Sequence, residues 1–170
     1  MSIEKNYEFL WLDYEAAIEA LTEVEIGNIL TWGNDLLNNE RNFRSFPYEQ
    51  EGNKRNRTLH TLSDLFFVDW PHAGIYLVAL RYEGNLVSIA RVTYGVDDYA
   101  KELIITYVMT NPGYRKQGHG KELMERLGRA ARMRNFTFLS LCYDGRNKDA
   151  VEFYTKTGWV SGTVNAGKFL

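Results

Sequence analysis

The stretch Thr106-Tyr107-Val108-Met109-Thr110-Asn111-Pro112-Gly113-Tyr114-Arg115-Lys116-Gln117-Gly118-His119-Gly120 decides how this chain is read. Its first five residues close a β-rich run that predicts a strand over Glu102–Thr110. Asn111-Pro112-Gly113 breaks the strand. Gly118 and Gly120 then open a helix from about Gln117 to Arg134, in which Gly120, Leu123, Met124, Leu127, Ala130 and Ala131 recur at steps of three and four. A helix start presents backbone N–H groups with no partner in the helix, and the helix dipole adds partial positive charge there. Glycine lets the main chain approach an anion closely, and Arg115, Lys116 and Lys121 add formal charge, so the turn suits a phosphate and suits a pair of phosphates better.

Working outward, Ile75–Tyr82 and Leu86–Tyr94 are β-rich runs around Glu83-Gly84-Asn85, a hairpin signal. With Glu102–Thr110 they predict an antiparallel meander. Downstream, Phe136–Tyr143 reads as a strand, Asn147 as the cap of a helix to Lys156, Gly158 as its left-handed end, and Trp159–Val164 as a last strand. Upstream, Tyr7–Tyr14 is a short edge strand and Glu15–Asn39 one or two amphipathic helices that Gly27 and Gly33 are placed to break. From Glu40 to Gly74 periodicity is lost, and the reading there is a long loop.

The 170 residues are 45% apolar and 14% aromatic, with 20 basic against 22 acidic side chains, which excludes intrinsic disorder and fits one domain over residues 1–170. A single cysteine, Cys142, makes neither an internal disulfide nor a cysteine-cluster metal site, so no metal is expected. No apolar run is long enough to cross a membrane, and Met1–Asn6 has no leader pattern, so the expectation is a soluble, cytoplasmic protein with no membrane partner. The near-neutral total hides a local asymmetry. Gly113–Arg134 holds seven basic residues and two acids, a net +5 against -7 in the remainder. On charge alone a solvated helix face is the favoured reading and an anion site the alternative, and the acidic total argues against a nucleic-acid partner.

Two familiar glycine patterns fail. A dinucleotide fingerprint needs glycine where Leu123 stands, and a Walker loop needs Lys and Ser or Thr where His119 and Gly120 stand. Arg115-Lys116-Gln117-Gly118-His119-Gly120 fits a third pattern, Arg/Gln-x-x-Gly-x-Gly/Ala, after the lead-in Pro112-Gly113-Tyr114-Arg115. Asn147-x-x-Ala150-x-x-Phe153-Tyr154-x-x-x-Gly158-Trp159 matches a second motif at the proper distance. Over about Glu102–Trp159 the chain thus resembles the GNAT superfamily of acyl-CoA-dependent N-acyltransferases.

The resemblance implies an α+β fold with a mostly antiparallel sheet splayed near the cofactor site and flanked by helices. It implies an N-acetyltransferase moving acetyl from acetyl-CoA directly to a primary amine. Coenzyme A would lie with its pyrophosphate on Arg115, Lys116, Gln117, Gly118, His119, Gly120 and Lys121, its pantetheine arm along Val108, Met109 and Thr110, and with Asn147 in contact. Tyr154 would donate a proton to the departing thiolate. Asn147, Ala150, Val151 and Tyr154 share one helix face, which agrees with that role, as it agrees with a core aromatic. An alkylamine is neutral in only about one molecule per thousand near pH 7.4, so a base or a water chain helps. The position where the family often carries Glu holds Ile104; Glu102, two residues earlier on the same face, is the substitute candidate. The rival reading is a non-catalytic acyl-CoA-binding or interaction module on the same fold.

Other candidates carry less. His119 is expected at the surface with only its backbone used, His60 and His72 are expected to be structural, and Cys142 a small buried residue. The acceptor, an amine-bearing small molecule or a protein, is expected to meet Glu15–His72. There Trp32, Phe43, Phe46, Tyr48 and Trp70 line a pocket or pack the core, and Glu49, Glu51 and Asp69 are available to a cation. A homodimer is left open.

Overall fold

The computed structural model describes residues 6–43, 58–67, 74–94, 101–143 and 145–162. The chain gathers into two compact units, one of Met1–Asp35 with Leu59–Cys142 and one of Leu36–Thr58 with Tyr143–Leu170.

The first unit holds a five-stranded sheet in the order β1 (Tyr7–Leu12), β2 (Ile75–Tyr82), β3 (Asn85–Tyr94), β4 (Glu102–Thr110), β5 (Phe138–Leu141). Neighbours from β1 to β4 are antiparallel and β5 runs parallel to β4. The meander therefore stands as predicted. Glu83 and Gly84 have φ of 50° and 79° and join Tyr82 to its partner Asn85, the two-residue turn whose twist matches that of the strands. Every residue from Leu86 to Thr93 is buried, which a strand permits only when both of its faces are covered. β3 is thus the centre of the core.

Helices α1 (Tyr14–Ala20), α2 (Glu23–Phe43) and α3 (Leu62–Phe67) precede β2, and α4 (His119–Met133) joins β4 to β5. Asp13 caps α1, accepting from the Ala16 N–H at 2.8 Å. Thr22 and Glu25 form a reciprocal box at the start of α2: the Glu25 N–H donates to Thr22 Oγ1 at 3.2 Å and the Thr22 N–H to Glu25 Oε2 at 2.9 Å. Glu25 also accepts from Arg81 of β2 at 2.7 Å, which ties helix to sheet. α1 packs on β1 and β2, α3 on β2, and α4 on β2, β3 and β4. The buried face of α4 is Leu123, Met124, Leu127, Ala130 and Ala131, the periodic set read from sequence, with Gly120 half-buried.

Several expectations change. Gly27 and Gly33 do not break α2; a Cβ on Gly33 would sit 2.4 Å from Leu59 Cδ1, so that glycine serves close packing. The side chain of Asn34 fixes the same segment, accepting from the Leu59 N–H at 2.8 Å and donating to its carbonyl at 3.0 Å. The span taken as one loop contains the end of α2 and the whole of α3, and Trp32 is part of the core. The fifth strand is shorter than Phe136–Tyr143. That leaves Cys142 past its end and exposed, not buried.

In the second unit, helix α5 (Lys148–Lys156) follows Asn147, whose Oδ1 accepts from the Ala150 N–H at 3.2 Å. It ends at Gly158, with φ 85°, and the Trp159 N–H returns to the Tyr154 carbonyl at 3.0 Å. Trp159–Gly162 is not in a strand, because this returning chain has no ladder partner among the described residues; the rest of the expected strand lies outside them.

Candidate active site

The site begins where β4 parts from β5. Their ladder runs from Glu102↔Phe138 to Ile105↔Leu141 and ends there, while β4 continues to Thr110. On its other side β4 stays paired with β3, as Ala90↔Val108, Ile89↔Met109 and Ser88↔Thr110. Between the pairs Arg91↔Tyr107 and Val92↔Ile105 the register slips by one, so Thr106 is a bulged residue at the point of separation. The slip is fastened by side chains. Arg91, 3% exposed, donates from Nη1 to Thr106 Oγ1 at 2.9 Å; that hydroxyl donates to the Arg91 carbonyl at 3.2 Å, and the guanidinium lies 5.7 Å from the centre of the Tyr107 ring. Beyond the bulge, the edge of Val108–Thr110 that faces away from β3 has no ladder partner among the described residues, and main-chain groups on such an edge suit an extended ligand.

The strand then turns into α4 through a structured loop. The Asn111 N–H donates to the Val87 carbonyl at 2.9 Å, and Asn111 Oδ1 accepts from the Gly113 N–H at 3.0 Å, capping one 3₁₀ turn over Pro112–Tyr114. Arg115 Nε donates to the Thr110 carbonyl at 3.2 Å and Gln117 Nε2 to the Gly113 carbonyl at 3.1 Å, so the loop is braced by its own side chains. Lys116 (φ 60°) and Gly118 (φ 91°) are left-handed. Gly118 is the N-cap and offers no side chain to the orphan amides behind it; a Cβ there would meet nothing within 4 Å, so its surroundings are open. Arg115, Lys116, Gln117 and Gly118 are exposed. One turn along α4 the basic excess is offset by Arg126–Glu122 at 2.6 Å and Lys121–Glu125 at 3.7 Å. Arg115 and Lys116 on the loop stand outside these pairs, and the rest of the basic excess, Arg129, Arg132 and Arg134, lies toward the far end of the helix.

The structure thus brings Val108, Met109, Thr110 and Arg115 to Lys121 into one continuous path. Glu102 stands apart in the first pair of the β4–β5 ladder, half-buried, four residues before the bulge. His119 departs from expectation. Its imidazole is buried, not at the surface, and Nδ1 is 2.9 Å from the hydroxyl of Tyr7. Neither that contact nor the bulge is legible in the sequence: Tyr7 and His119 lie 112 residues apart, and Leu103, Ile105 and Met109 keep their alternation through the bulge.

In the second unit, Asn147 caps α5 and Tyr154 belongs to it. Ala150, Val151 and Tyr154 are half-buried while Glu152, Thr155 and Lys156 are exposed, the face that spacing predicted. The Tyr154 ring stacks on Tyr143 at 5.0 Å and meets Trp159 edge-on at 5.9 Å. Burial first, and the neighbouring Tyr143 phenol second, push the Tyr154 hydroxyl up to about 12, so it holds its proton throughout the physiological range. Phe46, Tyr48, Glu49, Glu51, Asp69, Trp70 and His72 lie outside the described residues. Among the described residues no group of three or more His, Cys, Asp or Glu is placed to hold a metal, and no helix is long and apolar enough to cross a membrane.

A splayed, mostly antiparallel sheet whose fourth strand runs through a bulge into a glycine-capped helix defines the class, and residues 35–159 match the model of the acetyltransferase (GNAT) family. The chain belongs to that family. Solved structures agree on the fold: YycN of Bacillus subtilis, assigned as an acetyltransferase, has TM-score 0.65 at 19% identity, covering 96% of this chain and 99% of its own. An aminoglycoside acetyltransferase from an uncultured soil metagenomic sample, in complex with sisomicin, has TM-score 0.64 at 12% identity over 96% of this chain and 95% of its own. An aminoglycoside N-acetyltransferase in complex with CoA has TM-score 0.61 at 9% identity over 100% and 98%. No curated protein sequence matches the chain significantly.

Proposed function

We propose that residues 1–170 form a single-domain N-acetyltransferase that moves an acetyl group from acetyl-CoA to a primary amine, acting in the cytoplasm. The observation that carries this reading is the continuity of the freed edge of β4 with the open, side-chain-free cap at Gly118. The residues present fit the cosubstrate. The Val108–Thr110 edge suits the amides of a pantetheine arm, and the amides of Gly118 to Lys121 with Arg115 and Lys116 suit two linked phosphates. Bound there, acetyl-CoA supplies an activated thioester.

The chain's own residues then manage two protons. As the amine nitrogen bonds to the carbonyl carbon and the carbon–sulfur bond breaks, Tyr154 gives its phenolic proton to the thiolate. The amine proton leaves through water toward Glu102, which at roughly 13 Å of strand from the bulge is too distant for direct contact. Asn147 orders the start of the helix that carries Tyr154. The acidic remainder of the chain, -7 by formal charge, favours a cationic acceptor, either a small polyamine-like molecule or a protein amine.

Isothermal titration with coenzyme A tests the cosubstrate. Binding by the wild type, abolished when Gly118 and Gly120 are both replaced by valine, supports the reading; absent or unaffected binding refutes it. Thiol release from acetyl-CoA across a panel of amines tests catalysis. The apolar Ile104 at the position expected for a carboxylate favours a second reading, a non-catalytic acyl-CoA-binding module. Coenzyme binding with no thiol release for any amine class decides for it.

A further inference from the structure

His119 is the first residue of α4, so its main-chain amide is one of those at the proposed phosphate site. Its side chain has no place in the acetyl-transfer chemistry, yet it is 3% exposed and enclosed by three tyrosines: Tyr82 at 5.1 Å, Tyr114 at 5.6 Å and Tyr7 at 5.8 Å between ring centres. An apolar side chain would fill that space without any directional demand. An imidazole has to be matched with polar partners when it is buried, and the Tyr7 hydroxyl at 2.9 Å from Nδ1 is one, with the donor set by the tautomer.

Tyr7 is itself held. It belongs to edge strand β1, its ring lies 5.0 Å from Tyr82, and the Arg126 guanidinium sits 5.3 Å from its ring centre while bonded to Glu122 at 2.6 Å. The hydroxyl that meets His119 therefore comes from a side chain braced by sheet and helix together. We infer that the Tyr7–His119 hydrogen bond is a positioning contact for the phosphate loop: Tyr7 fixes the ring of His119, the ring fixes the first residue of α4, and the amides of Gly118 to Gly120 are thereby aimed at the anion. This rests on the coenzyme A reading above. It makes Tyr7, distant in sequence and outside the loop, a determinant of coenzyme affinity. Neither Tyr7 nor the imidazole touches the ligand; both act through the backbone.

The test compares coenzyme A with pantetheine, which lacks the pyrophosphate, by isothermal titration, with thermal unfolding alongside. Tyr7→Phe keeps the ring and removes only the hydroxyl. It is expected to weaken coenzyme A about fivefold, the worth of one hydrogen bond, and to leave pantetheine unchanged. His119→Leu, which fills the volume without a polar demand, is expected to do the same, and the double variant to be no weaker than the worse single one, because one contact is removed in all three. Equal losses for both ligands, a lowered unfolding temperature with unchanged coenzyme affinity, or additive losses in the double variant overturn the positioning role. A wild type that prefers coenzyme A, with the preference intact in Tyr7→Phe, overturns this inference alone. A wild type that binds the two ligands equally removes the phosphate-loop reading and this inference with it.

Discussion

Ile105 and Leu141 are the last partners of the β4–β5 ladder, and the very next residue of β4, Thr106, is bulged. The two facts belong together. A bulge adds local twist and bends its strand, and here the bend falls where β4 has to leave β5.

Thr106→Val tests that fastening. The hydroxyl both accepts from the buried Arg91 guanidinium and donates to the Arg91 carbonyl, so valine removes two bonds from one buried cluster without changing its volume. Depriving a buried charged donor of one acceptor costs about 1–3 kcal/mol. Urea unfolding is expected to show that loss for Thr106→Val and little of it for Thr106→Ser. Coenzyme A affinity is expected to fall with valine because the edge of Val108–Thr110 shifts. A valine variant as stable as wild type would show that the bulge holds without its side chains.

Gly118→Ala separates conformation from space. A Cβ at this position meets nothing within 4 Å, so no collision is involved, but φ of 91° penalises any L side chain by about 1–2 kcal/mol. Alanine is expected to lower the thermal midpoint by that amount and to weaken coenzyme A further as the cap relaxes. Asparagine, which tolerates left-handed backbone better, is expected to cost less stability. Stability losses that grow with side-chain size would point to crowding instead.

Local signals were legible and long-range ones were not. Glu83-Gly84 announced the hairpin, and the three-and-four spacing of Leu123, Leu127 and Ala130 announced the buried face of α4 and its bounds to within about two residues, because turn chemistry and periodicity are written in neighbouring residues. The capping role of Asn147 and the left-handed Gly158 were readable for the same reason. Gly33 has the sequence signature of a helix breaker, yet its need, room for Leu59, comes from a residue far along the chain. A histidine beside two glycines has the local pattern of a solvated loop, and only the fold brings Tyr7 against His119 and buries it. Cys142 follows a β-rich run that predicts burial, but the strand stops one residue short of it and leaves it exposed. Around the candidate site, the strand-to-helix turn and the half-buried face of α5 follow from local spacing, whereas the bulge that opens the sheet depends on pairing with Arg91 and leaves no mark in the pattern of β4.

Glu25 predicts an acid-sensitive link between α2 and β2. Burial alone would raise its carboxyl, but hydrogen bonds from Arg81 and Thr22 outweigh that and hold it below the ordinary value. A carboxyl whose folded value is depressed stabilises the protein above its unfolded value and stops doing so as pH falls through the folded one. Both side chains of the Glu25–Arg81 pair are largely buried. Glu25→Gln is therefore expected to cost about 2 kcal/mol in urea unfolding at pH 7 and less at pH 3, because below the ordinary carboxylate value the unfolded wild type takes up a proton that the folded, paired carboxyl resists. An equal difference at both pH values would mean that packing and not charge holds the pair.

Tyr154 makes the opposite prediction at alkaline pH, together with one about catalysis. Its hydroxyl is pushed up to about 12, against 10.0 unperturbed, so between those values the folded chain holds a proton that the unfolded chain has released. Stability contributed by the neutral phenol is complete below pH 10 and is lost as pH rises through 12. Unfolding free energies of the wild type are expected to fall faster than those of Tyr154→Phe between pH 9 and pH 11.5, with a difference of about 1–2 kcal/mol. The same retained proton is what a donor to a thiolate requires at neutral pH. Under the proposed reaction, once an acceptor is found, Tyr154→Phe is expected to lower kcat about a hundredfold while leaving coenzyme A affinity within about twofold. A phenylalanine variant with normal turnover would reduce Tyr154 to a packed aromatic between Tyr143 and Trp159. One that loses coenzyme binding in step with turnover would place its hydroxyl on the ligand rather than on the departing sulfur.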